Sequence, residues 1–289
     1  MGEKMGEKLK FAFYWAATCG GCDVAVLDLA EKILEVLEIA DIVFWPIALD
    51  FKYRDLEALE DKSVDFAFYN GSVRNSEHEH IAKILRRKAK VLVAFGSCAC
   101  FGGIPGLANT SNREEIFNVA YKETFSTVNP QAVFPQTKVE IEDLTLTLPE
   151  FYDTVKPLNQ TVEVDYYIPG CPPSVELIWK AVEAIKSGNL PPKNSVIAPP
   201  YSLCEICERK KEKEKIKIDR VKRVYEGTPD PERCFLEQGY ICLGPVTRAG
   251  CAGEKGGRCL NANMPCRGCM GPPENVKDQG ARMISALAS

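Results

Sequence analysis

The sequence predicts an α/β fold, in which a parallel β-sheet with helices on both faces precedes an irregular, cysteine-rich segment. Over residues 1–190, short apolar runs followed by glycine-containing loops alternate with stretches of helical periodicity. This is the pattern of a parallel sheet covered by helices. A proline-rich segment at 190–200 ends the alternation, and eight of the 13 cysteines follow it. We therefore expect two domains, residues 1–198 and residues 199–289.

The predicted strands are short apolar runs, most of them followed by turn residues. In chain order they cover residues 9–16, 42–47, 64–69, 91–95 and 164–168. Helices are predicted between them, from apolar residues at helical spacing, over residues 23–37, 77–89 and 174–186. Asp23 stands where the N-cap or a first-turn acidic residue of the first helix belongs.

Two segments lack this regularity. Residues 103–164 contain five prolines and are predicted to form a long insertion between strands. Residues 208–223 carry nine basic and four acidic side chains, a mixture typical of a solvent-facing helix or strand. The alternative for this segment is a docking patch for an acidic redox partner, since electrostatics mainly steers encounter.

The composition narrows the classes of function. Hydrophobic residues make up 45% and charged residues 26% of the 289 residues, as in a soluble globular protein. A net charge of -4 gives no electrostatic reason to expect a nucleic-acid partner. No apolar run is long enough to predict a membrane span, and the N-terminus lacks the apolar core of a secretory signal. We therefore expect a cytoplasmic protein whose cysteines bind metal rather than form disulfides.

Five cysteines belong to the predicted sheet domain, and all of them follow predicted strands. Cys19 and Cys22 form a C-x2-C pair, and Cys98, Cys100 and Cys171 come after later strands. The carboxyl ends of parallel strands share one edge, so these thiols are expected to converge there. Four thiolates are the usual ligands of a 4Fe-4S cluster. A thioredoxin-like dithiol with separate buried cysteines is the alternative.

The eight remaining cysteines begin and end with C-x2-C pairs, and they suffice for two sets of four. Two zinc sites would predict a structural interaction module, and two clusters would predict electron transfer. Their spacing does not distinguish the two, because the ferredoxin run C-x2-C-x2-C-x3-C is absent.

Three separated motifs resemble those of NiFe-hydrogenase small subunits. They are the CGGC at 19–22, the GSCA at 96–99 followed by two glycines at 102–103, and the PGCPP at 169–173. The tail cysteines match the same family in order, so the resemblance covers essentially the whole chain. It implies a flavodoxin-like domain and three clusters with the following ligands: proximal, Cys19, Cys22, Cys98 and Cys171; medial, Cys251, Cys259, Cys266 and Cys269; distal, Cys204, Cys207, Cys234 and Cys242.

At two cysteine positions the chain departs from the pattern of many family members, and both departures bear on the type of cluster it would bind. Cys204 stands where many members have a histidine, and Cys259 fills a position where many have proline and hold a 3Fe-4S cluster. The resemblance therefore implies three all-cysteine 4Fe-4S clusters. Cys100 is left over and is expected to be a small buried side chain. Asp23 replaces a glutamate of many members, which leaves it a role on a proton path or in capping a helix.

The function implied by the resemblance is electron transfer without a catalytic residue on this chain. The NiFe centre would lie only on a partner, the hydrogenase large subunit. Within the family the chain looks most like the methanogen viologen-reducing type, which does not reduce the deazaflavin coenzyme. That type passes electrons through a 2Fe-2S subunit to heterodisulfide reductase. Alternatives are deazaflavin-, NAD(P)- or sulfur-linked hydrogenases, the cluster subunit of complex I and, more distantly, a zinc-organised interaction module.

Overall fold

A computed structural model describes residues 8–212, 216–251 and 256–288. Its strands are β1 (Leu9–Trp15), β2 (Ala40–Phe44), β3 (Val64–Asn70), β4 (Val73–Asn75), β5 (Ala89–Phe95), β6 (Lys138–Ile141), β7 (Leu144–Thr147), β8 (Phe151–Lys156), β9 (Tyr166–Ile168) and β10 (Ser195–Val196). Its α-helices are α1 (Gly21–Leu27), α2 (Ile33–Ile39), α3 (Tyr53–Ala58), α4 (Ser76–Lys88), α5 (Ser97–Phe101), α6 (Arg113–Asn118), α7 (Val175–Lys186), α8 (Arg258–Asn261) and α9 (Gln279–Ala288).

The predicted parallel sheet is confirmed. Six strands pair in the order β10-β9-β5-β3-β1-β2, and every pairing is parallel. Renumbered within the sheet, this order is 2-1-3-4-5 with one further edge strand, which is the flavodoxin-like arrangement. The edge strand β10 lies inside the proline-rich segment at 190–200, so part of that segment belongs to the sheet.

Each face of the sheet carries its own apolar core, because successive residues of a strand point to opposite faces. In β1, Phe11 and Phe13 pack in one cluster with residues of α1 and α7, whereas Ala12 and Tyr14 pack in the other with residues of α4. Helices therefore cover both faces, as the sequence predicts. Side chains cap the N-termini of α4 and α7. The Asn75 side-chain oxygen accepts a hydrogen bond from the His78 N–H (2.8 Å), and the Ser174 hydroxyl accepts one from the Leu177 N–H (3.3 Å).

A buried carboxylate ties the sheet to α4. Asp165 accepts hydrogen bonds from Arg86 (2.6 Å) and from the Leu92 backbone N–H (2.9 Å), and it pairs with Lys193 (2.8 Å). Burial by itself would raise the pKa of Asp165, but the hydrogen bonds from Lys193, Arg86 and Leu92 together lower it below its usual value. Asp165 therefore stabilises the fold as a charged group.

The single helix predicted over 23–37 is wrong. The segment forms α1, a 3-10 turn at Ala30–Lys32 and then α2. Ala30 has a positive φ of 50°, which interrupts the helical hydrogen-bond pattern. No glycine or proline marks this break, so the sequence periodicity runs through it.

The predicted insertion is present as small local elements. The β4–β8 and β6–β7 pairs are antiparallel, and α6 lies in the same stretch of chain. The segment at 208–223 forms neither helix nor strand where it is described, and residues 213–215 lie outside the described residues. No helix in the described part of the chain is long and apolar enough to cross a membrane.

The C-terminal segment has a small apolar cluster of its own, and two cysteines belong to it. Leu203, Phe235 and Met283 are among its buried members, together with Cys242 and Cys266. A hydrogen bond joins it to the sheet region, in which Ser97 Oγ donates to the Cys269 carbonyl. Cys269 therefore lies next to the sheet edge.

Candidate functional site

The carboxyl edge of the sheet brings four of the predicted thiols together. Cys19 follows β1, Cys22 lies on α1, Cys98 lies on α5 directly after β5, and Cys171 follows β9. Loops were expected at all four positions, and two of them are instead the first turns of short helices. The β1 strand borders the point where the strand order reverses, which is where open α/β sheets bind their ligands.

Electrostatic coupling shows how close these sulfurs are. Burial raises the pKa of the Cys22 thiol, and Cys98, Cys171 and Cys19 raise it further. Burial and the neighbours Cys171 and Cys19 also raise the pKa of Cys98, although hydrogen bonds from the Thr18 hydroxyl and the Ile104 backbone N–H lower it. Such thiols remain protonated on their own at neutral pH, whereas a coordinated metal deprotonates them.

Glycines make room for these sulfurs. Gly96 has a φ of 86°, and a side chain there would overlap the Cys22 Sγ. A Cβ on Gly103 would lie 2.8 Å from the Cys98 Sγ. Cys100 lies close to Cys22 and Cys98, and burial together with these two neighbours raises the pKa of its thiol, but it is buried in the core and donates to the Ala94 carbonyl at 3.4 Å. The structure thus brings Cys98 to the sheet edge and turns Cys100 toward the core.

Asp23, next to Cys22, is held by hydrogen bonds from two other side chains. It lies in the first turn of α1, and its carboxylate accepts hydrogen bonds from the Trp45 indole N–H (2.8 Å) and the Asn70 amide (3.0 Å). Burial raises the pKa of Asp23, and these two hydrogen bonds oppose that shift. The N-cap of α1 is Gly20, so Asp23 anchors the helix to the sheet instead of capping it.

The predicted distal thiols line one cavity of about 290 Å³. Its walls contain all four of them together with two cations: Leu203, Cys204, Cys207, Arg209, Lys211, Cys234, Phe235, Leu236, Cys242, Gly244, Pro245 and Leu260. A Cβ on Gly244 would lie 3.1 Å from the Cys204 Sγ and 3.5 Å from the Cys242 Sγ. Burial and the neighbouring Cys242 raise the pKa of Cys204 to about 12.

The predicted medial thiols are also mutually coupled. Burial raises the pKa of Cys269 to about 11, and Cys251 and Cys259 contribute to this shift. Burial likewise raises the pKa of Cys266 to about 12, with Cys242 and Cys269 adding to it. Residues 252–255, next to Cys251, lie outside the described residues.

The three groups adjoin one another in a fixed order. The Ser97 hydroxyl, next to Cys98, donates to the Cys269 carbonyl, which joins the proximal group to the medial one. The backbone N–H of Cys266 donates to the Cys242 sulfur at 3.3 Å, which joins the medial group to the distal one. A continuous series of thiols therefore runs from the sheet edge into the C-terminal segment.

Each of the three predicted groups offers four cysteine thiols as its donor set. Thiolates around a single zinc ion lie about 3.8 Å apart, given Zn–S bonds of about 2.3 Å. Within the described residues, no group of three or more His, Cys, Asp or Glu side chains converges in this way on one ion. The distal thiols instead surround a volume. Thiolates are the ligands of iron–sulfur clusters, so the residues present fit such a group.

The sequence did not reveal the two cations in the distal cavity. Arg209 and Lys211 belong to the mixed-charge segment that the sequence assigns to solvent or to docking. Their place in the wall depends on chain packing around Cys234, more than 20 residues away, and no local pattern indicates it.

Comparisons with known proteins identify relatives along the whole chain. A family model described as "NADH ubiquinone oxidoreductase, 20 Kd subunit" matches residues 19–185, the stretch that carries the proximal motifs. The iron-sulfur subunit of the F420-non-reducing hydrogenase of Archaeoglobus profundus is 49% identical over 97% of this chain and 88% of its own length. A subunit of the F420-non-reducing hydrogenase of Methanothermobacter thermautotrophicus is 38% identical over 99% of this chain and 85% of its own length.

Solved structures agree with the fold. A chain of the NAD+-reducing NiFe-hydrogenase in its H2-reduced state is 29% identical with a TM-score of 0.53, and the match covers 64% of this chain and 94% of that chain. A chain of the Dm. baculatum NiFeSe-hydrogenase has a TM-score of 0.52 over 94% of this chain and 97% of its own. At 16% identity this second match supports the fold alone. The chain therefore belongs to the NiFe-hydrogenase small-subunit family, as a subunit of an oxidoreductase complex that acts on H2.

Proposed function

We propose that this chain relays electrons from H2 oxidation in a hydrogenase large subunit, through three 4Fe-4S clusters, to a partner protein. The observation that carries the proposal is the series of three adjoining thiol groups: the Ser97–Cys269 hydrogen bond joins the first two, and the Cys266–Cys242 hydrogen bond joins the last two. Each group provides four thiols, which is the ligand set of one 4Fe-4S cluster. The division into residues 1–198 and 199–289 belongs to the same proposal, with one cluster in the first domain and two in the second.

The chain's own residues hold and insulate the clusters. Clusters bound here would supply one-electron redox chemistry at potentials set by ligand charge, hydrogen bonds and solvent exposure. The Gly21 N–H donates to the Cys19 sulfur at 3.4 Å, and the Cys266 N–H donates to the Cys242 sulfur at 3.3 Å. Such hydrogen bonds stabilise thiolate charge and so favour the reduced, more negative state.

The sheet edge is the face we assign to the large subunit, which would carry the NiFe centre. Cys19 and Cys171 are exposed there. Trp15 and Ile104, which adjoin this group, are 39% and 65% exposed. Exposed apolar side chains beside redox ligands favour a surface that a partner covers.

For the acceptor we propose the route of the methanogen viologen-reducing enzymes: a 2Fe-2S subunit and then heterodisulfide reductase, in the cytoplasm. The relatives of the F420-non-reducing type match this chain over 97% and 99% of its length. A deazaflavin- or NAD(P)-linked role remains the second candidate. The solved NAD+-reducing chain, which matches 64% of this one, is the observation that favours it.

Metal analysis of the purified complex tests the cluster count. Three 4Fe-4S clusters give about twelve iron and twelve acid-labile sulfide per chain. Stoichiometric zinc without sulfide would refute the relay and support a zinc-organised module instead. Co-purification tests the partners: nickel should accompany the large subunit, and a 2Fe-2S protein should remain bound. A complex holding a deazaflavin- or nicotinamide-reducing subunit in its place would move the acceptor to the second candidate.

A further inference from the structure

Two cations are built into the wall of the distal cavity. Arg209 and Lys211 line it together with Cys204, Cys207 and the other two thiols of that group. Lys211 is exposed, whereas Arg209 is half-buried. Both side chains thus lie where a cofactor bound to these thiols would experience their charge directly.

Arg209 is held rigidly, but only by neutral groups. Its guanidinium donates to the carbonyls of Asp230 (2.8 Å) and Arg233 (2.9 Å) and to the Asn263 side-chain oxygen. Its Cζ also lies 3.7 Å from the centroid of the Phe235 ring. These contacts fix the position of the charge without compensating it.

Arg233, in the same segment, is a cation whose charge is compensated by carboxylates. It pairs with Glu212 at 3.2 Å and with Glu237 at 3.9 Å. Among the described residues, neither Arg209 nor Lys211 takes part in an ion pair of this kind. A half-buried cation without a carboxylate partner is unfavourable unless another anion faces it. A cluster bound to the four thiolates of this cavity would supply that negative charge.

We propose that Arg209 and Lys211 raise the reduction potential of the distal cluster by their charge and so favour the transfer of an electron to it. The inference rests on the proposed function, because it needs a cluster at Cys204, Cys207, Cys234 and Cys242. Net charge is one of the main determinants of cluster potential, and a fixed cation stabilises the more negative, reduced state by Coulomb attraction.

The test is an EPR-monitored redox titration of the intact complex. The distal signal is identified as the one that changes in Cys204→Ser. We expect Arg209→Gln to lower the equilibrium constant for reduction of that cluster about tenfold, equivalent to about 59 mV for one electron. Lys211→Gln should lower it by a smaller, several-fold factor because water screens its charge. Arg209→Lys keeps the charge and should stay close to wild type.

Lys210 provides the matched control, because it lies between the two cations in sequence but does not line the cavity. Lys210→Gln should shift the distal potential less than Lys211→Gln does. Equal shifts in these two variants, or no shift in Arg209→Gln and Lys211→Gln, would overturn the inference. If the Arg209→Gln complex fails to assemble, the comparison of Lys211→Gln with Lys210→Gln tests the inference, because Lys211 is exposed and its replacement should not disturb assembly. A wild-type complex without a cluster at these thiols would refute the proposed function itself.

Discussion

Replacing Gly96 with alanine tests whether the loop after β5 is shaped around the Cys22 sulfur. Gly96 has φ 86° and ψ 161°, a conformation that is essentially restricted to glycine and costs other residues about 1–3 kcal/mol. The added methyl would overlap the Cys22 Sγ and lie 3.6 Å from the Gly170 carbonyl oxygen. The loop cannot easily yield, because the Gly96 N–H donates to the Ile168 carbonyl at 2.7 Å.

We expect Gly96→Ala to lower the thermal midpoint by at least about 2 °C, since 1 kcal/mol corresponds to about 2–4 °C in chains of 150–250 residues. It should also alter the EPR signal of the proximal cluster and leave the other signals unchanged. Gly106→Ala is the matched control, because Gly106 lies shortly after α5, in the 3-10 turn Pro105–Thr110, and its Cβ would meet nothing within 4 Å. If both variants match wild type in midpoint and spectrum, the loop is not shaped around the sulfur.

The remaining predictions concern four other positions. Cys98→Ala should remove about four iron atoms per chain, whereas Cys100→Ala should retain them all; equal losses would contradict the proximal assignment. Cys259→Pro should convert one cluster to 3Fe-4S and give a new EPR signal in the oxidised protein, and an unchanged spectrum would remove Cys259 from the ligands. Asp165→Ala should cost about 3 kcal/mol in chemical denaturation, because it leaves Arg86 without its buried partner. Since the pKa of Asp165 lies below the usual value of about 3.9, its stabilisation is present above that pH and is lost as the pH falls through the lower, folded-state value. Asp165→Asn should therefore lose less further stability than wild type below about pH 4; parallel acid curves would show that this carboxyl does not contribute.

The parallel sheet could be predicted because its strands are buried on both faces. Continuous apolar runs such as residues 64–69 and 91–95 leave few other arrangements, and glycine-containing turns mark where most of them end. The break at Ala30 could not be predicted in the same way. It depends on how α1 and α2 pack on the sheet, and the apolar periodicity passes through it without a signal.

The cysteine groups divide along similar lines. The sequence predicted that Cys19, Cys22, Cys171 and either Cys98 or Cys100 converge, because one edge of a parallel sheet collects the carboxyl ends of its strands. The family resemblance chose Cys98. For the tail, the count of eight left zinc and clusters equally open, and only the family resemblance supplied an order. The cavity around Cys204 and the links between the groups depend on long-range packing that has no period in the sequence.

The sequence by itself determined the fold class, the strand ends that carry the proximal thiols and the number of cysteines, because these follow from local pattern and from the geometry of parallel sheets. Tertiary structure alone decided which thiols adjoin. It turned Cys100 into the core while Cys98 faces the sheet edge, although they are two residues apart on one helical turn. It also brought Arg209 from a charged, apparently solvent-facing run to the wall of the distal cavity. The physical reason is the same in both cases: side-chain direction and charge environment are set by neighbours that are distant in sequence.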